Sequence, residues 1–144
     1  MNKVLGLDLG SRTLGIALSD ALGIAHGYEE FRFVEGAYKQ ALNKVLEVVS
    51  KENVNEIALG YPLNMDGSEG EKALSSKRFR DDLLKANPNL KISLVDERMT
   101  TIIATKRLLE ADLSRNKRHK VIDKQAAVVI LESYLQRKEF EENV

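Results

Sequence analysis

The sequence predicts one α/β domain on a mixed five-stranded sheet, three antiparallel strands followed by two parallel ones, flanked by helices. Three observations carry this. Two apolar, strand-forming runs at 3–9 and 13–20 are separated only by Gly10-Ser11-Arg12, which is too short for a crossover, so they must pair antiparallel. From residue 37 onward, helical and strand periodicities alternate, the pattern of parallel additions to a sheet. The 144 residues, 43% hydrophobic, make one ordinary domain. A chain of this size buries roughly 70% of its extended surface.

Each element has its own signal. Residues 24–34 form a third strand in which Phe31 and Phe33 share a face and Tyr28 is out of phase. Over 37–52, Ala37, Ala41, Val45 and Val48 recur at helical spacing with charges between them. Residues 55–60 are a short buried strand. Pro62, Asn64, Asp66, Gly67 and Gly70 give 61–71 the chemistry of a loop. A polar helix follows at about 70–86, ending before Asn87-Pro88, and 91–95 is the fifth strand. Thr100 or Thr101 suits the N-cap of a helix reaching Glu110. Residues 112–120 read as a basic loop, and the last helix as running from about Val121 to Lys138. The domain is thus placed at 1–138, with 139–144 an acidic, frayed tail.

Composition excludes whole classes of chemistry. There is no cysteine, hence no disulfide, thiolate metal site or cysteine nucleophile. Two histidines, His26 and His119, are too few for a zinc centre of nitrogen ligands. A metal bound here must be a hard cation on oxygen ligands. The 22 basic and 22 acidic residues cancel, so any nucleic-acid contact must come from a local patch. No apolar run approaches the ~20 residues that span a bilayer, and MNKVLGLDLG lacks a signal-peptide core. These features lead us to expect a soluble cytoplasmic protein.

Three carboxylates occupy unusual places. Asp8 interrupts an apolar strand on the face of Val4 and Gly6, with Gly6 expected to leave open space beside it. Glu97 follows the fifth strand, where open α/β sheets place ligands. Asp123 opens the final helix on the same face as Ala127, Ile130 and Tyr134. Each has a plain structural alternative: a turn cap, an ion pair with Arg98, a favourable helix-dipole charge. Together they form a set that repels itself unless a cation lies between its members. Such a set suits two Mg²⁺ or Mn²⁺ ions, which cleave phosphodiesters without histidine or cysteine.

The stretches GLDLGSRTLGIALSD, ALGYPLNMDGSEG, VDERMTT and KVIDKQAAVVILESYL resemble the YqgF family in content and order, across essentially the whole chain. The resemblance implies a ribonuclease-H-like fold and a metal-binding triad at Asp8, Glu97 and Asp123. It implies a cytoplasmic nuclease maturing the 5′ end of pre-16S ribosomal RNA, with ribosome or assembly factors as partners. Resolution of Holliday junctions in branched DNA is the alternative, and a non-catalytic RNA-binding assembly role a further one. Paired cuts would favour a homodimer over a monomer.

Candidate substrate contacts surround this set. Arg115, Lys117, Arg118 and Lys120 precede Asp123 and could hold phosphates. Arg12 in the first turn, Asn64 in the loop after the fourth strand and Arg98 beside Glu97 complete the expected nucleic-acid surface. Asp20, Asp66 and Asp96 have no role assignable from sequence.

Overall fold

A computed structural model describes residues 2–98 and 115–142, with side chains described outside 115–125 and 142. The predicted helix beginning near Thr100 lies outside the described residues. In chain order the elements are β1 (Val4–Leu9), β2 (Thr13–Ser19), β3 (Ala25–Arg32), α1 (Tyr38–Glu52), β4 (Glu56–Tyr61), α2 (Glu71–Ala86), β5 (Lys91–Asp96) and α3 (Arg115–Glu142). The sheet order is β3-β2-β1-β4-β5. β1, β2 and β3 pair antiparallel, and β4 and β5 add in parallel beside β1. This is the expected mixed sheet.

The out-of-phase Tyr28 has a structural cause. The β2–β3 register runs from Ile16↔Glu29 to Ala17↔Gly27, so Tyr28 is the extra residue of a bulge. The bulge turns its ring toward the side where Phe31 and Phe33 stack, centroids 6.3 Å apart. Its hydroxyl donates to Glu52 Oε2 at 3.1 Å, tying the edge strand to the end of α1.

The sheet separates two apolar layers. Leu5, Leu7, Leu14, Ile16, Ile57 and Leu59 pack on α1 and α2 through Val45, Val48, Phe79 and Leu83. The opposite face is built of smaller residues, Val4, Ala17 and Ala58, against Ala127, Ile130, Leu131 and Tyr134 of α3. Small residues are needed because α3 lies close to the sheet. A Cβ on Gly6 would stand 2.7 Å from Leu131 Cβ and 2.9 Å from the Ala127 carbonyl oxygen. Gly6 therefore leaves no open space, contrary to the sequence expectation; helix backbone fills it. Gly6→Ala should destabilise the fold by about 1–3 kcal/mol, because a helix backbone cannot yield as a side chain can. Urea unfolding measures this, and an unchanged midpoint would mean that α3 has room to move.

Helix α3 starts at Arg115, so the basic segment from 115 is helical and not a loop, and it continues through 139–142 beyond the boundary expected at Lys138. Lysine, arginine and glutamate are good helix formers, and neither stretch holds Gly or Pro to stop the helix. α3 runs antiparallel to the parallel strands. Ala126 lies by Asp8 and Glu97 at their carboxyl ends, whereas Tyr134 and Lys138 reach Glu56 at the start of β4.

Glu56 is a buried anion at that far end. Lys138 Nζ donates to its two oxygens at 2.9 and 3.0 Å, and the Tyr134 hydroxyl donates to Oε2. Burial pushes the Glu56 carboxyl up, but the Tyr134 and Lys138 hydrogen bonds outweigh it and hold the group below its ordinary value of 4.5. The unfolded chain thus takes up this proton first. The contribution is present above pH 4.5 and is lost as pH falls through the depressed folded value. Glu56→Gln should flatten the acid limb of a stability–pH curve; an unaltered limb would place the acid sensitivity elsewhere.

Candidate active site

The carboxyl ends of the three parallel strands meet at one edge of the sheet. Asp8 is at the end of β1, Gly60 near the end of β4 and Glu97 just past β5, where its N–H donates to the Tyr61 carbonyl at 3.2 Å. Strand alternation turns Asp8 toward α3, as expected. β1 and β5 are separated by β4, so their ends are about 10 Å apart. Glu97 bridges that gap by laying its side chain across Gly60. A Cβ there would be 2.7 Å from Glu97 Cδ and 2.9 Å from Oε2. The missing side chain of Gly60 is what allows the two carboxylates to meet. The sequence reading missed it, although a glycine inside a buried strand signals close approach.

Asp8 and Glu97 are hydrogen bonded to each other. Burial, followed by the negative charge and hydrogen bond of Asp8, pushes the Glu97 carboxyl up to about 9, against a smaller opposing pull from Lys72. Without a cation, the pair holds a proton at neutral pH because two close carboxylates cannot both ionise cheaply. A divalent cation would remove that constraint. The donor set, hard oxygens with no sulfur, fits Mg²⁺ or Mn²⁺.

The pair lies in a cavity of about 530 Å³. The β1–β2 turn from Asp8 to Thr13 forms one wall, Pro62, Leu63 and Lys72 another, and Glu97, Arg98 and Ala126 the remainder. The backbone of Asp123 lies one helical turn before Ala127, toward this end of the sheet. Its side chain, and those of Arg115, Lys117, Arg118 and Lys120, lie outside the described residues. The last four stand on the same end of α3.

Other expected contacts divide between cavity and scaffold. Arg12 and Arg98 line the cavity. Arg98 does not pair with Glu97; its Nε and Nη2 donate to Asp96 at 2.9 and 2.7 Å. Asn64 is bound within its own loop, its amide N–H donating to Ser68 Oγ at 3.0 Å. The unassigned carboxylates also find places. Asp96 holds Arg98, Asp66 accepts from the Ser68 N–H at 2.9 Å, and Asp20 accepts from the Leu22 N–H at 2.9 Å while meeting His26 Nε2 at 2.7 Å. Lys72 is a charged cavity residue that sequence reasoning missed, since it is one of three lysines on a polar helix.

Comparison with solved structures gives the class of fold. Thermus thermophilus RuvC in complex with a Holliday junction substrate superposes with a TM-score of 0.59 at 15% identity, covering 96% of both chains. The yeast mitochondrial resolvase Ydc2 superposes with a TM-score of 0.52 at 10% identity, covering 94% of this chain and 81% of that one. The chain thus has the α/β fold of the ribonuclease-H-like resolvases, with its carboxylate pair at the carboxyl ends of the parallel strands.

The family follows from sequence. The family model described as "RuvX: Holliday junction resolvase" matches residues 2–137. A Staphylococcus aureus (strain N315) protein named "Putative pre-16S rRNA nuclease" is 44% identical over 135 residues, 93% of this chain and 95% of its own. A protein of the same name from Staphylococcus carnosus (strain TM300) is 42% identical over the same shares. The chain belongs to the RuvX (YqgF) family of nucleases. Among the described residues no helix is long and apolar enough to cross a membrane.

Proposed function

We propose that this protein is a metal-dependent endonuclease that hydrolyses RNA phosphodiesters in 5′-end maturation of pre-16S ribosomal RNA, acting in the cytoplasm. Asp8, Glu97 and Asp123 are its metal ligands. The observation that carries the chemistry is the convergence of Asp8 and Glu97 across Gly60, inside a cavity also lined by basic residues. The RNA substrate is drawn from the names of the relatives.

When bound, Mg²⁺ or Mn²⁺ would supply water activation and stabilise charge on the leaving oxygen. The chain's own residues do the rest. Asp8 and Glu97 fix the ligand oxygens on rigid strand ends, and Arg12 at the cavity wall offers a phosphate contact. The basic first turns of α3, with Arg115, Lys117, Arg118 and Lys120, extend that contact along the backbone of the substrate.

A second reading, resolution of branched DNA, is favoured by the description of the matching family. Cleavage of a single-stranded precursor RNA and of a four-way DNA junction, with Mg²⁺ or Mn²⁺, separates the two. The RNA should be cut by the wild type and not by Asp8→Asn. Paired cuts confined to the junction would instead assign the resolvase. Binding of RNA without cutting, unaffected by Asp8→Asn, would overturn both in favour of a non-catalytic assembly role.

A further inference from the structure

Among the described residues three basic side chains line the cavity, and their surroundings differ. Arg12 Nη2 lies 3.6 Å from Glu35 Oε2 in a fully solvated pair, both side chains 67% exposed. Such a pair contributes little and opens readily. Arg98 is committed. It makes charge-assisted bonds to Asp96 at 2.7 and 2.9 Å, and its backbone N–H donates to Asp96 Oδ1 at 3.0 Å. Its Nη1 also lies 3.4 Å from where a Cβ on Gly67 would stand. Arg98 thus lies against the 62–70 loop while bonded to the end of β5, and forms a wall of the cavity.

Lys72 differs from both. It stands on the first turn of α2, lines the same cavity, and among the described residues has no ion pair within 4.0 Å. Asp8 and Glu97 line the same cavity. A lysine ammonium is a compact charge on a flexible stem, able to follow a phosphate without surrendering a fixed partner.

We propose that Lys72 is a direct substrate-binding residue of this site, taking a phosphate oxygen of the nucleic-acid backbone beside the Asp8–Glu97 pair, while Arg98, held by Asp96, acts as the latch of the cavity wall. This rests on the nuclease reading and names a contact that reading does not contain. The two cavity residues have opposite signatures: Lys72 contributes to phosphate affinity and its salt dependence, and the Asp96–Arg98 pair to the position of the loop.

The test uses a short single-stranded RNA and a four-way DNA junction. Binding is measured across a KCl series with EDTA in the Glu97→Gln background, and cleavage with Mg²⁺ in the otherwise native chain. Lys72→Gln should reduce the slope of log affinity against log salt by about 0.7 on single strands, the loss of one phosphate contact. It should lower kcat/KM by about 10- to 100-fold, with the unfolding midpoint unchanged, and Lys72→Arg should restore the slope. An unchanged slope and rate in Lys72→Gln, with wild type cutting, would overturn the role of Lys72 and leave the nuclease reading standing. A lowered unfolding midpoint with an unchanged slope would make Lys72 a structural residue and also overturn the proposal. If wild type neither binds nor cuts either substrate, the nuclease reading falls and Lys72 with it.

Discussion

Replacing Glu97 with Gln is expected to abolish cleavage and, in the metal-free protein at pH 7, to raise stability by about 1–3 kcal/mol. The two effects have one origin. The Glu97 carboxyl is pushed up to about 9 from its ordinary 4.5 by burial and by Asp8. The folded protein therefore retains a proton that the unfolded chain has already released over that interval. Stability associated with Glu97 is complete below pH 4.5 and is lost as pH rises toward 9. Gln carries no such charge, so its advantage should be absent at pH 4 and grow steadily to pH 9. Mg²⁺ should reverse the order, stabilising wild type and leaving Glu97→Gln almost unmoved. Thermal unfolding with EDTA and with Mg²⁺ across this pH range measures both. A variant no more stable than wild type at pH 8 in EDTA would show that Asp8 and Glu97 do not confront each other in solution.

Gly60→Ala should reduce the cleavage rate at least 100-fold while leaving the chain folded. The added methyl would lie 2.7 Å from both Glu97 Cδ and Ile130 Cδ1. Ile130 Cδ1 is a side-chain tip that can rotate away, whereas moving the Glu97 carboxyl aside shifts the oxygens that face Asp8. Displacing a catalytic carboxylate by about 1 Å is enough for a 100-fold loss. The metal-dependent rise in unfolding temperature should shrink in parallel. A rate near wild type would mean that Glu97 can reach Asp8 by another path, and that Gly60 is small only for the packing of α3.

The residues of this chain differ in how far sequence exposes their roles. Asp8 was conspicuous because a carboxylate in an apolar strand must be paired, and strand alternation alone assigned its face. Glu97 is marked by its place after β5 and is grouped with Asp8 by charge and residue type, but the path by which it reaches Asp8 is not marked. Its neighbour Arg98 is the obvious local choice, yet in the fold Arg98 turns to Asp96. Gly6 and Gly60 illustrate the harder case. Gly6 looks like added room in the sequence and Gly60 carries no assigned role there, yet both are glycine because α3 or Glu97 occupies the space where a Cβ would be. Leu131 is more than a hundred residues from Gly6 along the chain, so no local pattern reports that contact. The basic run from Arg115 reads as a loop in the sequence, although lysine and arginine are good helix formers and the segment is helical.

By itself, the sequence determined the order of the strands and helices among the described residues, the antiparallel-then-parallel sheet, the exclusion of sulfur chemistry and the carboxylates to inspect. Those follow from periodicity, loop length and residue type, which are local properties of a chain. Only the tertiary structure decided that Glu97 crosses Gly60 to meet Asp8, that Asp96 holds Arg98 away from that pair, and that Lys72 faces the cavity. These depend on which strand ends lie side by side and how closely a helix approaches them, and packing across the whole chain sets those distances.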